Sequence, residues 1–373
     1  MRFIHTADLH LGRMLGDVSM LEDQRQALIE IASLCRAHKA DALLIAGDVY
    51  QRSAPQAEAM ELFNDFVSGL VDDGIRVFAI SGNHDSAQRI SYFSRLIRKS
   101  GVYVSENFEG KLQSIPMRDE YGEITVHLLP YIRPSNVRLC YPEEKIDSYT
   151  DAVKRVVEKS NVDFSARNVL VAHQFITGGE MAGSEEKTVG TLDNVDLSAI
   201  SGFDYVALGH LHRPQRLGSE AVRYAGSPLK YSFGESNDKK SAVLVELRQK
   251  GDMEITLLPI PFQRDVRRVE GAYADLMAMP YSEDYLWVSL TDEEVPVDAG
   301  RMLKTVFPNL RHFTVSNSKT KLDMDISGAE SVADLDAEGL FSDFYAEQNN
   351  GVRPGEAQMA LFKKLFTWEE KRA

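Results

Sequence analysis

Thiols are scarce in this 373-residue chain, which has only two cysteines, Cys35 and Cys140. Two so widely separated cysteines cannot build a disulfide framework or a thiolate metal site, and such usage points to a reducing compartment. Long apolar runs are missing too. No stretch approaches the ~20 uninterrupted apolar residues of a spanning helix, so no membrane role is expected. Met1-Arg2 leads straight into Phe3-Ile4-His5-Thr6-Ala7-Asp8 with no apolar leader, and a cytoplasmic location is the expectation. Positive charge is also short: 42 Lys and Arg face 56 Asp and Glu, a net charge of −14. That balance speaks against holding a polyanion by bulk charge but leaves room for a local basic or metal-rich site.

What is present is ordinary for a folded globular chain, with 43% hydrophobic and 26% charged residues. At ~150 residues per domain the length suggests two or three domains. The first part alternates short apolar runs with helical patterns, the signature of α/β layers. Strands are predicted at 2–7, 42–46, 75–80, 111–116, 124–131, 168–173, 203–209, 241–247 and 253–260. Helices are predicted at 21–37, after Pro55, near 89–99 and at 148–158. The first helix carries Leu21, Leu28, Ile31 and Leu34 at helical spacing. Residues 178–190 form a Gly- and Glu-containing loop without periodicity, and long irregular loops tend to be functional. The expected division is 1–264, a small α/β unit at 265–328 (strand 285–290, helix 298–306, strand 311–315), and a helical segment at 329–373 with helices at 331–348 and 355–370. Acidity is denser per residue beyond Arg264.

Five clusters collect the metal-capable side chains: Asp8-x-His10, Gly47-Asp48, Gly82-Asn83-His84-Asp85, His173 and Gly209-His210-Leu211-His212. Each follows a predicted strand, and ligands in open α/β sheets bind beyond the carboxyl ends of strands. Imidazole, carboxylate and amide oxygen suit a borderline or hard divalent ion such as Mn²⁺, Fe²⁺ or Zn²⁺. Asp8, His10, Asp48, Asn83, His173, His210 and His212 are too many for one catalytic ion with an open position, and fit two ions bridged by a carboxylate. Two ions ~3.5–4 Å apart can supply a hydroxide nucleophile and neutralise charge at phosphorus. His84 is then spare for proton transfer to the leaving oxygen, with Asp85 expected to fix its tautomer. Any one cluster alone reads as loop punctuation, Gly and Asp being common turn residues. The ordered set of five is far more specific.

The pattern D-x-H, G-D, G-N-H-[DE], H, G-H-x-H resembles the calcineurin-like metallophosphoesterase superfamily. Within it the chain is similar to the SbcD-type nuclease subunits, through His5-Thr6-Ala7-Asp8-Leu9-His10-Leu11-Gly12, Ala46-Gly47-Asp48-Val49-Tyr50, Gly82-Asn83-His84-Asp85-Ser86, Gly209 to Gln215 and Tyr224 to Leu229. The resemblance covers about the first 315 residues. It implies a four-layer β-sandwich flanked by helices, with a small α/β capping domain and C-terminal helices. It assigns one ion to Asp8, His10, Asp48 and His212, a second to Asp48, Asn83, His173 and His210, and scissile-phosphate assistance to His84. It further implies two Mn²⁺ ions, exonuclease action on duplex DNA ends with endonuclease action on hairpins or single strands, an SbcC-type SMC-like coiled-coil ATPase partner, a homodimer within a heterotetramer, and work near the nucleoid. Gln51 departs from the Asp common after Gly-Asp-Val-Tyr, at a position that is not a ligand.

Arg13, Arg52, Arg89, Lys187, Arg213 and Lys230 fall in or near loops expected to rim the crevice and are the candidate phosphate contacts, against the alternative of solvated surface charge. His5, His38, His127 and His312 read as structural or surface residues. Phe63, Phe66, Tyr92 and Phe93 suggest a twofold interface, sheet packing being the plainer account. Met359, Leu361, Phe362, Leu365, Phe366 and Trp368 make the last helix apolar enough to dock on a partner's coiled coil. The rival readings are a cyclic-nucleotide or other small-diester hydrolase, a protein phosphatase, or a non-catalytic DNA-binding subunit. Gln51-Arg52-Ser53 and Asp85 stand against the phosphatase, which carries Asp-Arg-Gly and Glu there. His84, surplus to ligation, stands against the non-catalytic subunit.

Overall fold

A computed structural model describes residues 1–182, 184–185, 194–317, 337–348 and 353–369. It divides into two units, Met1–Arg267 and Arg268–Ala373.

The first unit is built on two six-stranded sheets. One runs in the order Met253–Pro259, Ser241–Leu247, Arg2–Thr6, Ala42–Ile45, Arg76–Ala79, Val102–Val104. The last four of these strands are parallel neighbours, so the ends of Arg2–Thr6, Ala42–Ile45 and Arg76–Ala79 share one edge. The other sheet runs Gln215–Leu217, Ser219–Tyr224, Tyr205–Gly209, Arg167–His173, Gly122–Leu129, Gln113–Asp119, with Tyr205–Gly209 and Arg167–His173 parallel in register from Tyr205↔Val169 to Gly209↔His173.

Alternation decides the layers, because successive strand side chains point to opposite faces. Phe3, Leu44, Phe78 and Val243 of one sheet meet Val126, Val169, Val171, Tyr205 and Ala207 of the other in a single buried cluster. Burying each such Leu, Val or Phe contributes roughly 1.5–3 kcal/mol. On the far side of the second sheet Leu170, Val206 and Leu208 pack against Val153 and Val156 of the helix Tyr149–Lys159. Ser148 caps that helix, its hydroxyl accepting from the Asp151 amide at 3.0 Å. The first sheet buries Ile4, Leu43 and Val77 on its outer face, and the helix Ala57–Asp72 lies against the strand Arg76–Ala79. Helices, sheet, sheet and helix form four layers.

The second unit has a three-stranded sheet in the order Val266–Gly271, Tyr285–Leu290, Leu310–Val315. Leu286, Val288 and Leu290 pack with Leu303 and Phe307 beside the short helix Ala299–Leu303. The helices Ala337–Gln348 and Glu356–Glu369 follow, with Phe341 stacked on Phe362 at 4.3 Å. Phe362 is therefore engaged within the chain. Residues 331–336 of the expected helix lie outside the described residues.

Several sequence expectations shift. The helix near 89–99 is broken into Ala87–Ile90 and Ser94–Ile97, because Phe93 adopts a left-handed backbone at φ 64°. The buried stripe of Leu21–Ala37 is Asp23, Gln24, Ala27, Leu28, Ile31, Ala32 and Cys35, a rotation away from Leu21 and Leu34. Phe66 is 8% exposed and serves the fold, whereas Tyr92 and Phe93 are 70% and 57% exposed. The strands Gln215–Leu217 and Ser219–Tyr224 and the helix Pro134–Cys140 carried no clear period in the sequence.

Candidate metal centre

The strand ends converge as a consequence of the parallel pairing. The chain leaves Arg2–Thr6 into Asp8, whose amide donates to the Gly47 carbonyl at 3.0 Å, and the His10 amide donates to the Asp48 carbonyl at 2.9 Å. These bonds zip the first two clusters together. Asp8, His10, Asp48 and His210 all have positive φ, at 54°, 44°, 48° and 102°. Left-handed backbone is uncommon for residues with a side chain, and strain of this sort gathers at functional sites. The glycines allow close approach: a Cβ on Gly82 would collide with the Asp48 carboxylate, and one on Gly209 with the Ala46 carbonyl.

Asp48 sits at the middle. Its Oδ2 lies 3.5 Å from His10 Nε2 and 3.4 Å from His173 Nε2, while Oδ1 accepts from the His84 amide at 2.9 Å. On one side, His10 Nε2 is 3.0 Å from His212 Nε2. Asp8, His10 and His212 offer ligand atoms within 4.8 Å of one another, as do Asp8, Asp48 and His173. On the other side, Asn83 Oδ1 is 3.0 Å from both His173 Nε2 and His210 Nδ1. The seven candidate ligands thus lie together, and both carboxylates are buried, Asp8 at 0% and Asp48 at 2% exposure.

The donor set fits divalent cations. The Ala46 carbonyl accepts from His173 Nδ1 at 2.7 Å, so neutral His173 turns a lone pair toward Asp48 and the Asn83 oxygen. Lone pairs facing one another in a buried place call for a cation between them. Burial would depress the His173 pKa, but the Asp48 charge overrides it and lifts the group to about 9, a proton answering the same demand. Burial raises Asp8 to about 7 against the pull of His173 and His212. Burial would also raise Asp48, yet the charge and hydrogen bond of His173 hold it well below the carboxylate range. Burial, helped by His173, lowers His210 to about 3, and burial depresses His10 strongly, which keeps these rings in the metal-binding neutral form. His10 Nδ1 is buried with no hydrogen-bond partner. Nitrogen and oxygen ligands without thiolate suit Mn²⁺, Fe²⁺ or Zn²⁺.

His84 stands beside this cluster, its ring 4.8 Å from that of His10 and edge-on to it. The acceptor for its Nδ1 is the main-chain carbonyl of Gln51 at 3.2 Å. Asp85, expected to fix that tautomer, instead accepts from the amides of Val49, Tyr50 and Gly82 at 2.9–3.0 Å. It clamps the second and third loops together, and its pKa rises to about 7 through burial and the Asp48 charge. The physical reason is local: three amides at a chain crossing need an acceptor more than an imidazole with a carbonyl at hand. Gln51 Oε1 also accepts from Arg13 at 3.1 Å.

A cleft of about 380 Å³ beside His84 is lined by Gly12, Arg13, Met14, Gln51, Arg52, Ser184 and Glu185. Arg13 and Arg52 therefore face the same cleft as His84. Arg89 is exposed on its short helix. Arg213 is tied to Glu180 at 3.0 Å and Asp238 at 3.1 Å. Lys230 does not belong to a rim: its ammonium is buried, bonded to the Ser236 carbonyl at 2.7 Å and paired with Asp265 at 2.9 Å. Lys187 lies outside the described residues.

The remaining histidines are structural. His5 reaches across to the second sheet, 2.8 Å from the Tyr205 hydroxyl and 3.2 Å from the Leu208 carbonyl. His127 lies between Ser114 and Asn168, and His312 packs on Trp287 at 4.9 Å. Sequence reasoning missed Gln24 and Tyr231. The Gln24 amide donates to the carbonyls of Leu9 and His10 at 3.1 and 2.8 Å, and the Tyr231 hydroxyl donates to Leu9. A polar residue inside an otherwise apolar helical stripe was the available signal for Gln24.

Residues 1–214 match the calcineurin-like phosphoesterase family, and residues 262–349 match the family described as type 5 capsule protein repressor C-terminal domain. The SbcD subunit of the SbcCD nuclease of Staphylococcus epidermidis is 31% identical over 318 residues, 83% of this chain and 84% of that protein. The Staphylococcus saprophyticus protein of the same name is 30% identical over 355 residues, 92% of each. Among solved structures, a dimetal phosphatase from Danio rerio is 11% identical with a TM-score of 0.43, covering 70% of this chain and 99% of that one. Yfce, a phosphoesterase from E. coli, is 13% identical with a TM-score of 0.28, covering 70% and 100%. With a phosphoesterase match over more than half its length and relatives at about 30% identity along most of it, the chain belongs to the calcineurin-like phosphoesterases and, among them, to the SbcD nuclease subunits.

Proposed function

We propose that the chain is a two-metal DNA phosphodiesterase working with Mn²⁺, an exonuclease on duplex ends and an endonuclease on hairpins or single strands. The observation that carries this reading is the Asp48 carboxylate between His10 and His173, with His84 left beside the cluster. Asp8, His10, Asp48 and His212 would hold one ion, and Asp48, Asn83, His173 and His210 the other. When bound, such a pair supplies a nucleophile at neutral pH and neutralises charge at the displaced phosphate. His84, its Nδ1 oriented by the Gln51 carbonyl, delivers a proton through Nε2 to the leaving oxygen. Asp85 holds the loop that presents His84, and is a positioning residue. Arg13 and Arg52 bind the flanking phosphates from the cleft wall, and Arg89 and Arg213 are secondary contacts.

The names of the relatives support a partner ATPase of the SbcC type, with DNA as shared substrate, in the cytoplasm near the nucleoid. No described helix is long and apolar enough to cross a membrane. Residues 1–264 would be the nuclease domain, 265–328 a small capping domain, and 329–373 the segment that docks on the partner. Exposed Tyr92, Phe93 and Leu96 support a homodimer within a heterotetramer. Sedimentation should show dimers at micromolar concentration, and a monomer would sink that element.

The nuclease reading is tested with purified wild type and His84→Ala, with Mn²⁺, on a labelled hairpin duplex and on bis-p-nitrophenyl phosphate. Wild type should cut both, and His84→Ala should cut DNA far more slowly. Cleavage of the small diester alone, even with the partner present, would favour a small-phosphodiester hydrolase.

A further inference from the structure

The 178–190 loop reaches His212 by a route that the metal ligands themselves do not explain. Ser184 Oγ lies 2.5 Å from His212 Nδ1, and the same hydroxyl donates to Glu235. Glu235 pairs with Lys240 at 2.6 Å, both side chains at 0% exposure. Lys240 also donates to the His212 carbonyl at 2.7 Å. The next loop residue, Glu185, accepts from the His212 amide at 2.9 Å.

The hydrogen inventory assigns the protons. A carboxylate buried against an ammonium accepts only, so the single hydroxyl hydrogen of Ser184 is committed to Glu235. Ser184 Oγ can then only accept from His212, whose ring proton must sit on Nδ1. Nε2 is left unprotonated and aimed at the cluster, 3.0 Å from His10 Nε2. Metal-binding histidines commonly donate their other N–H directly to a carboxylate or carbonyl. Here the donation runs through a serine on a loop.

We propose that Ser184, Glu235 and Lys240 form a positioning relay that locks His212 in its Nδ1–H tautomer and so sets the affinity of the ion that His212 helps to hold. The proposal rests on the metal-centre reading above. It makes the loop part of the metal site: when Ser184 is withdrawn, His212 loses both its tautomer lock and its orientation. A purely structural pair of Glu235 and Lys240 would keep the fold without reference to Ser184.

The test is Mn²⁺ binding to the full chain by calorimetry and by electron paramagnetic resonance of free Mn²⁺, for wild type, Ser184→Ala and Ser184→Thr. Ser184→Ala should weaken one of the two ions by roughly 10–100-fold, the usual cost of losing such an outer partner, and leave the other ion in place. Ser184→Thr, which keeps the hydroxyl, should bind close to wild type, and the thermal transition of the metal-free protein should not move with Ser184→Ala. Equal affinities in wild type and Ser184→Ala would overturn the relay. Weakening of both ions alike would also overturn it, by placing Ser184 in the folding of the whole site. Wild-type protein that takes up no Mn²⁺ would instead overturn the metal-centre reading, and the relay with it.

Discussion

His5 gives a sharp test of how the two sheets are held together, because its ring is fully buried between Tyr205 and the Leu208 carbonyl. Burial is the main cause that lowers its pKa from 6.5 to about 3, the Leu208 hydrogen bond opposing and the Arg223 charge assisting. The unfolded chain therefore binds a proton that the folded chain refuses between these values. Stability from neutral His5 is complete above pH 6.5 and is lost as pH falls toward 3. At pH 5 the unfolded state gains about one and a half pKa units of protonation, or about 2 kcal/mol. His5→Gln keeps a side chain able to bond Tyr205 and removes the titration. Urea unfolding of wild type and His5→Gln in chelator at pH 7 and pH 5 should show wild type losing about 2 kcal/mol more over that interval, since acid effects common to both proteins cancel in the difference. Equal losses would refute the claim that His5 is held neutral between the sheets.

Three other perturbations follow from the same structure. Phe78→Ala empties a fully buried site stacked on Tyr103 at 4.8 Å, and should cost about 3–5 kcal/mol in urea unfolding at neutral pH. Arg13→Ala, which removes the guanidinium lining the cleft beside His84, should weaken DNA binding across sequences and lower the salt slope by about 1, measured by fluorescence anisotropy. Deletion of residues 351–373 should abolish capture of the coiled-coil partner while leaving Mn²⁺-dependent cleavage by the chain intact.

The sheet frame and the gathering of the five clusters were legible because both depend on short-range patterns. A buried parallel strand is an apolar run, and its end is marked where the run breaks at Asp8, Asp48, Asn83, His173 or His210. What escaped depended on partners distant in the chain. Asp85 looked like a partner for the neighbouring His84 ring, yet three amides from two loops claim it. Lys230 looked like a rim cation, yet Asp265 and the Ser236 carbonyl draw it inward. Ser184 carried no period and no motif, and its link to His212 spans 28 residues with a second step of 51 to Glu235. Phe93 broke an expected helix through one left-handed residue, which no apolar spacing announces. The chain's deficit of positive charge is answered at the centre, where two buried carboxylates face imidazoles and call for cations.

Asp48 offers the most direct test of the shared centre. Mn²⁺ titration of the full chain, read by calorimetry and by electron paramagnetic resonance, should give two ions per wild-type chain with spin coupling between them. Asp48→Asn should weaken both ions together, because one carboxylate serves both sides. A single ion in wild type, or loss of only one ion in Asp48→Asn, would contradict a centre built around that bridge.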